Sequence, residues 1–233
     1  MLDVHPPHEA AHTWKDFLIH IATICIGLLI AIGLEQTVET IHHRRQRIEL
    51  RESLIADAKQ GVKDTEDAHA YVVASVQWLE LRIHQVQQAL ATNQPLPPAP
   101  PRSPLNFASP DEPVWKAAKS SGLEELLTQE EVEVFTDVDG DVINAERYHL
   151  MRNDDMNRVW KFNYKFTRAD TQQPDFSDAD RQDLKEYLDA LATSKTSTLE
   201  YDFWCKTLHG AQAAVLRGKR DLASIQHAEL DPW

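Results

Sequence analysis

The sequence predicts an all-α protein, in which one N-terminal transmembrane helix continues into a long helix that packs with two further long helices as an antiparallel bundle. An uncharged apolar run near the N-terminus is long enough to cross a membrane. Helix-forming residues repeat at heptad spacing through most of the remainder, and only 7 of 233 residues are glycine. The predicted segments are an N-terminal tail (1–16), a transmembrane helix (17–38), a long heptad-patterned helix (39–94), a proline-rich connector (95–113) and a helical hairpin that completes the bundle (114–233).

The composition argues against nucleic-acid binding. The chain has 24 Lys and Arg against 37 Asp and Glu, a formal net charge of -13. Affinity for nucleic-acid phosphates depends on an excess of cations, so we expect no nucleic-acid partner. Cys25 and Cys205 are the two cysteines, and two such residues do not make a disulfide framework.

The predicted anchor begins at Phe17 and ends at about Val38. The part from Phe17 to Leu34 carries no formal charge, and at about 1.5 Å per residue the whole helix crosses a hydrocarbon layer of roughly 30 Å. The alternatives are a buried core helix and a cleaved signal peptide. No other segment is apolar enough to surround such a helix, and Glu35 and Gln36 follow it where a signal peptidase needs small residues. We therefore expect a permanent anchor.

A basic cluster after the apolar run predicts its orientation. Lys15 stands alone before the helix, whereas Arg44, Arg45 and Arg47 follow it and are expected to contact lipid headgroups. Cytoplasmic flanks carry the excess of Lys and Arg. The prediction is an N-terminus outside, a soluble domain in the cytoplasm, and the lipid bilayer as the first partner.

Three small residues within the anchor share one helix face. Thr23, Gly27 and Ala31 are four residues apart, a pattern that lets two membrane helices approach closely. One hypothesis is therefore a homodimer that forms through this face and through the heptad pattern of the next helix. No protein partner of another kind follows from the sequence.

The N-terminal tail contains a match to the zinc-peptidase motif H-E-x-x-H. In that motif His8 and His12 would bind Zn²⁺ and Glu9 would activate the metal-bound water. A zinc peptidase also needs a third protein ligand and a substrate cleft, and this match lies in a short tail ahead of a single membrane span. His8 and His12 are kept as metal candidates. We expect no enzyme and no cofactor, because no nucleophile with a base and no phosphate loop accompany them.

Heptad spacing marks the long helix that follows the anchor. Two rows of residues repeat every seven positions and predict an a/d seam of about five heptads, typical of a coiled coil or a long bundle helix. The first row is Ile41, Ile48, Ile55, Val62, His69, Val76, Ile83 and Leu90, and the second is Ala58, Thr65, Val72, Leu79 and Val86. Six prolines within residues 95–104 then end the helix and predict an extended connector that lets the chain turn back.

Local signals predict the helices after the connector. A short helix over 114–121 is stopped by Gly122, and a capping box of Thr128 and Glu131 opens the next long helix. Ser177 begins the last long helix. These positions predict a helical hairpin behind the connector.

Two polar stretches interrupt these helices in sequence. Asp137-Val138-Asp139-Gly140-Asp141 resembles a calcium loop, but its glycine is fourth rather than sixth, so we expect a helix with a weak point at Gly140. Residues 193–198 are polar and poor in helix formers, which predicts a kink.

Three segments carry a resemblance to a known family. They are the opening MLDVHPPHE, the span GLLIAIGLE followed by HHRR, and the later stretch VWKAAKSSGLEELL. They resemble a family of uncharacterised bacterial single-pass membrane proteins, with an N-terminal transmembrane helix and a helical soluble domain. The resemblance implies a bacterial inner-membrane location and a helical fold, and it implies no activity.

The favoured function is a non-catalytic, membrane-anchored interaction or scaffold protein, because the anchor runs without a break into the heptad pattern. The alternative is a membrane-tethered sensor that binds a small ligand in its bundle. A polar-lined cavity among His149, Arg152 and Trp160 would favour the sensor. The second alternative is a zinc peptidase, which would require metal at His8 and His12.

Overall fold

The computed structural model describes residues 14–101, 107, 109–167 and 178–230. All regular secondary structure in these ranges is helical, which confirms the predicted fold class. A 3₁₀ turn, Leu123–Leu126, lies between the second and third α-helices. The α-helices are α1 (Trp14–Thr92), α2 (Pro113–Ser121), α3 (Gln129–Thr167), α4 (Asp178–Leu216) and α5 (Leu222–Glu229).

Contacts divide the chain into two units, residues 1–49 and residues 50–233. In the described part of the first unit, the apolar run from Phe17 to Leu34 is exposed along its whole length. The run is therefore not a core helix of the described structure. Across the described ranges, α1 is the one helix that is long and apolar enough to cross a membrane.

The second unit is built on three long helices, and α4 is antiparallel to both of the others. Along α1 and α4, residue numbers rise on one helix as they fall on the other, and the same holds for α3 and α4. The pairs that show this are Thr65 with His209, His69 with Asp202 and Glu80 with Lys195 for α1, and Tyr148 with Trp204 and Asn163 with Tyr187 for α3.

In contrast, α3 runs parallel to α1. Three pairs, at the beginning, middle and end of the shared length, set this direction. They are Arg51 with Glu131, Tyr71 with Arg152, and Trp78 with Trp160. The predicted antiparallel bundle with a helical hairpin is therefore found for α4 with each of its two long neighbours, whereas α1 and α3 are parallel.

The proline-rich connector is the reason for the parallel pair. Twenty residues separate Asn93 from Pro113, and at about 3.1 Å per residue an extended segment of that length covers roughly 62 Å. The 36 residues of α1 from Asp57 to Asn93 rise by roughly 54 Å. The connector is therefore long enough to return the chain along α1 before α3 begins. Its contacts with α1 follow that path: Pro97 with Arg82, Pro100 with Trp78, Phe107 with Tyr71 and Val114 with Asp57.

The buried face of α1 is rotated from the predicted seam. The predicted second row, from Ala58 to Val86, is at most 4% exposed and forms part of the core. The predicted first row is exposed at its beginning, where Ile48 and Ile55 are 47% and 38% exposed, and its later members Ile83 and Leu90 pack partly buried against the core. The buried row that lies beside the second row contains small and polar residues: Gly61, Ala68, Ser75, Arg82 and Ala89.

Close approach of α4 explains why small residues occupy that row. A Cβ atom at Gly61 would overlap the side-chain amide of Gln212, which is itself fully buried. A row with so few large apolar side chains gives no hydrophobic signal in the sequence. The sequence therefore indicated the neighbouring isoleucine row instead.

Two of the predicted helix boundaries are confirmed, whereas Ser177, which is predicted to begin the last long helix, lies outside the described residues. The amide of Thr128 donates to Oε2 of Glu131 at 3.0 Å, and the amide of Glu131 donates to Oγ1 of Thr128 at 3.3 Å, so the capping box opens α3. Gly122 follows α2 with φ of 73°, a left-handed conformation that favours glycine.

Helix α3 continues through Gly140, where the sequence predicts a helix, and the polar stretch over 193–198 does not interrupt α4. Hydroxyl groups in α4 donate back to main-chain oxygens one turn earlier, as Thr198 does to Ser194 at 2.6 Å. These bonds satisfy the hydroxyls inside the bundle, so a polar stretch is compatible with a continuous helix there.

Candidate functional site

Helices α3, α4 and α5 line a groove of about 900 Å³ that is open to solvent. The position of α5 depends on Gly210 of α4, because a Cβ atom there would overlap the main-chain carbonyl of Ala228. Asp221 caps α5 by accepting a hydrogen bond from the amide of Ser224 at 2.9 Å, and Ile225 is fully buried beneath the helix. Close packing against Gly210 thus brings the end of α5 to the edge of the groove.

Three acidic side chains from two helices line one part of the groove. Asp137 and Asp141 lie one turn apart on α3, so both face the same side of that helix. Glu229 reaches them from the last turn of α5. Gly140 lies beside Asp141 and leaves space, since no atom lies within 4 Å of the position that its Cβ would occupy.

Two of the three carboxyl groups have a raised pKa. Burial is the main reason that the pKa of Asp141 is raised to about 7, and the charge of Asp137 contributes to this shift. Burial also raises the pKa of Glu229, and so do the charge of Asp141 and a hydrogen bond with Asp137. Two carboxyl groups can share a hydrogen bond only if one is protonated. The cluster therefore holds protons near neutral pH.

The hydrogen-bonding capacity of the cluster is incompletely used. Asp141 is 8% exposed, and its Oδ2 atom is buried without a hydrogen-bond partner. The same is true of one oxygen each in Asp137 and Glu229. Lys206 also lines the groove, but its ammonium group pairs with Asp202 at 2.9 Å. The groove lysine is thus already paired with a carboxylate outside the cluster.

Apolar side chains form the other walls of the groove. Phe203 and Trp204 of α4 meet edge to face with ring centroids 5.4 Å apart. Phe203 is 60% exposed and Leu230 is 85% exposed. Leu222 of α5 completes this side. The groove therefore combines buried acids with an exposed aromatic rim.

The cluster does not have the geometry of a metal centre. Within the part of the chain that the structure describes, no three His, Cys, Asp or Glu side chains are placed to hold a metal ion together. His8 and His12 lie outside the described residues, so their metal binding stays a prediction.

The site residues predicted within the anchor lie on an exposed helix. Thr23, Gly27 and Ala31 are all exposed, and no atom lies within 4 Å of a Cβ position built at Gly27. Oγ1 of Thr23 donates to the main-chain oxygen of Ile19 at 2.9 Å. Self-association through this face stays a prediction.

The predicted headgroup contacts are also exposed. Arg44, Arg45 and Arg47 point away from any described core, and Arg45 pairs with Glu49 at 2.8 Å. An exposed pair of this kind contributes little to stability and leaves the other two guanidinium groups accessible to phosphates.

Two of the three residues named for a sensor cavity lie together, because His149 and Arg152 both pack against the ring of Phe107, and Trp160 lies apart from them. Arg152 is 2% exposed and lies over the ring of Tyr71, 4.7 Å from its centroid. His149 packs against Tyr201, whereas Trp160 packs against Trp78 in another part of the core. None of His149, Arg152 and Trp160 lines the groove.

The groove residues were missed because sequence reasoning examined them for another chemistry. Asp137 and Asp141 were tested against a calcium loop, and the spacing failed. One signal for the groove is present in the sequence: Asp137 and Asp141 are one helical turn apart and Gly140 lies beside them, so both carboxyl groups lie on one accessible face of the helix. No local signal connects them with Glu229 or Phe203, which lie on other helices.

Comparison with protein-family models, curated proteins and solved structures gives no match to this chain. The function is therefore argued from the groove and the anchor alone.

Proposed function

We propose that the chain is a membrane-anchored, non-catalytic binding protein whose helical bundle takes up a small ligand in the groove between α3, α4 and α5. The groove itself carries this proposal. Its volume of about 900 Å³ is typical of small-molecule sites, which are mostly apolar with a few buried polar groups. Among the two non-catalytic hypotheses, this feature favours the sensor over the scaffold.

The anchor in this proposal is the apolar part of α1, from Phe17 to about Val38. The uncharged, exposed surface from Phe17 to Leu34 supports insertion in a bilayer, and Arg44, Arg45 and Arg47 support a cytoplasmic position for the bundle. With the resemblance to bacterial single-pass proteins, the proposed location is the bacterial inner membrane.

Reporter fusions test this orientation. Green fluorescent protein at the C-terminus should fluoresce, because it folds in the cytoplasm, and alkaline phosphatase at the same position should be inactive. Active phosphatase would place the bundle outside and contradict the orientation. If the cell cleaves off the N-terminal segment and the bundle is then recovered in the soluble fraction, the segment is a signal peptide and the permanent anchor is contradicted.

A fluorine label on Trp204 tests ligand binding. The full chain in detergent micelles is labelled with 5-fluorotryptophan, and Trp204→Phe assigns the relevant ¹⁹F resonance. The probes are 4-phenylbutylamine, 4-phenylbutan-1-ol and 4-phenylbutyrate, which share one apolar body and differ in charge. At least one probe should shift the Trp204 resonance saturably.

Two substitutions at Gly140 make the test specific to the groove. Gly140→Leu should abolish the shift, because a large side chain there occupies open space within the groove. Gly140→Ala is the matched control and should keep it. If no probe shifts the resonance in the unmodified chain, or if Gly140→Leu leaves the shift unchanged, the groove is not a ligand site.

A second candidate function, the interaction scaffold with a homodimer, is favoured by an exposed pair of isoleucines in the first unit. Ile41 and Ile48 are seven residues apart and are 64% and 47% exposed. Heptad-spaced apolar residues that are unpaired in one chain are typical of helices that pair with a second copy. Sedimentation of the chain in micelles should give a dimer that Ile41→Glu with Ile48→Glu converts to a monomer. A monomer before substitution would exclude the homodimer.

A further inference from the structure

The charge of the groove indicates what kind of ligand it accepts. Asp137, Asp141 and Glu229 each have a buried oxygen without a hydrogen-bond partner. An anionic ligand would add to their mutual repulsion, and a ligand without N–H or O–H donors would leave the acceptors unpaired. A ligand that carries several N–H donors and a positive charge satisfies both requirements.

The nearby protein cations do not fill this role in the structure. Lys206 pairs with Asp202 at 2.9 Å, and Lys119 pairs with Asp139 at 2.6 Å. Asp139 lies between Asp137 and Asp141 in sequence but on a different face of α3. The lysine that pairs with it therefore neutralises another face of the helix.

The apolar walls of the groove indicate the chemistry of the rest of the ligand. Phe203 and Leu230 are exposed apolar groups next to the acids, and Trp204 and Leu222 extend the apolar surface. Aromatic rings beside carboxylates suit a cation attached to an apolar body, because a ring face also attracts positive charge. A small inorganic cation would leave this surface uncovered.

We propose that the groove binds a small amphiphilic amine, with its ammonium group against Asp137, Asp141 and Glu229 and its apolar body against Phe203, Trp204 and Leu230. This inference rests on the proposed function, since it names the ligand class of the same groove. The ligand is a free molecule rather than a lysine side chain of a protein partner, because the groove has the volume of a small-molecule site.

The fluorine-labelled chain and the three phenylbutyl probes test this class directly. At about pH 9, above the raised pKa of Asp141 (about 7) and of Glu229 (about 8), 4-phenylbutylamine should reach half-saturation at a concentration at least about tenfold lower than 4-phenylbutan-1-ol does. 4-Phenylbutyrate should bind most weakly. The alcohol is the matched neutral control, since it differs only in the end group.

Removal of one charge tests the assigned position of the ammonium group. Asp141→Asn should raise the half-saturation concentration of the amine about tenfold and leave that of the alcohol unchanged. Asp154→Asn is the matched control, because it makes the same change at an exposed position on the same helix. It should leave both probes unaffected. Circular dichroism of each variant confirms that the bundle is folded.

The outcomes separate this inference from the proposed function. Equal binding of the amine and the alcohol, or an amine affinity that Asp141→Asn does not change, would overturn the amine class while groove binding stands. Absence of any Trp204 shift with all three probes would overturn the proposed function itself. A lysine-containing amphipathic peptide provides the last comparison. If it binds in a way that depends on Asp141 while the free amine does not bind, the assignment to a small molecule is overturned.

Discussion

Replacement of Glu112 by glutamine is expected to stabilise the bundle at neutral and alkaline pH. Glu112 is 4% exposed, and its Oε1 accepts a hydrogen bond from Nε2 of Gln212 at 3.3 Å. Its other oxygen, Oε2, and the Oε1 of Gln212 are both buried without a partner. An ionised carboxylate offers no donor to the Oε1 atom of Gln212, whereas a protonated acid or an amide does. Glu112→Gln supplies such a donor at every pH.

The magnitude follows from the pKa of Glu112. Burial is the main reason that this pKa is raised from 4.5 to about 7, with smaller contributions from the charges of Asp57 and Asp139. Because the folded-state pKa is raised, its stabilising contribution is full below the unfolded pKa and is lost as pH rises through about 7. One pKa unit corresponds to about 1.4 kcal/mol, so the loss across this range is about 3 kcal/mol. Glutamine does not titrate and avoids this loss.

Urea denaturation of the full chain in micelles, followed by circular dichroism at about pH 5 and about pH 8, measures the effect. The advantage of Glu112→Gln over the unmodified chain should grow by about 2 to 3 kcal/mol between these conditions. Glu125→Gln is the control, because Glu125 is exposed. If the difference in free energy of unfolding between Glu112→Gln and the unmodified chain is the same at both pH values, Glu112 is not held protonated by burial. The same conclusion follows if the difference grows equally in the control.

Three further substitutions test the elements around the groove, each by urea denaturation. Gly210→Ala should destabilise the chain by about 1 to 3 kcal/mol, because its Cβ would overlap the carbonyl of Ala228 and push α5 away. Gly140→Ala should stabilise α3 by up to about 1 kcal/mol, since the position is helical and open. Glu131→Ala should cost about 1 to 2 kcal/mol, because it removes the capping bonds of α3 and the 2.8 Å pair with Arg51. An unchanged free energy of unfolding in Gly210→Ala would contradict the close packing of α5. A lower stability of Gly140→Ala would contradict the open space at that position, and an unchanged stability of Glu131→Ala would contradict the cap.

Local features explain why the helices were predictable. The capping box of Thr128 and Glu131, the left-handed Gly122 and the prolines after α1 act within a few residues, and each ended or began a helix where expected. The polar stretch over 193–198 does not interrupt α4, because hydroxyl groups that compete with a helix in isolation bond to its own carbonyls inside the bundle. Whether such a stretch bends depends on its packing.

By itself, the sequence determined the helical class, the helix limits and the exposed apolar run from Phe17 to Leu34, because each depends on neighbouring residues along the chain. Only the tertiary structure decided the parallel packing of α1 and α3, since the connector could turn back or cross the bundle with the same composition. The tertiary structure also decided that the row from Gly61 to Ala89 faces the core, through the close approach of α4. The groove depends on the same long-range packing, because Asp141, Glu229 and Phe203 meet there from three separate helices.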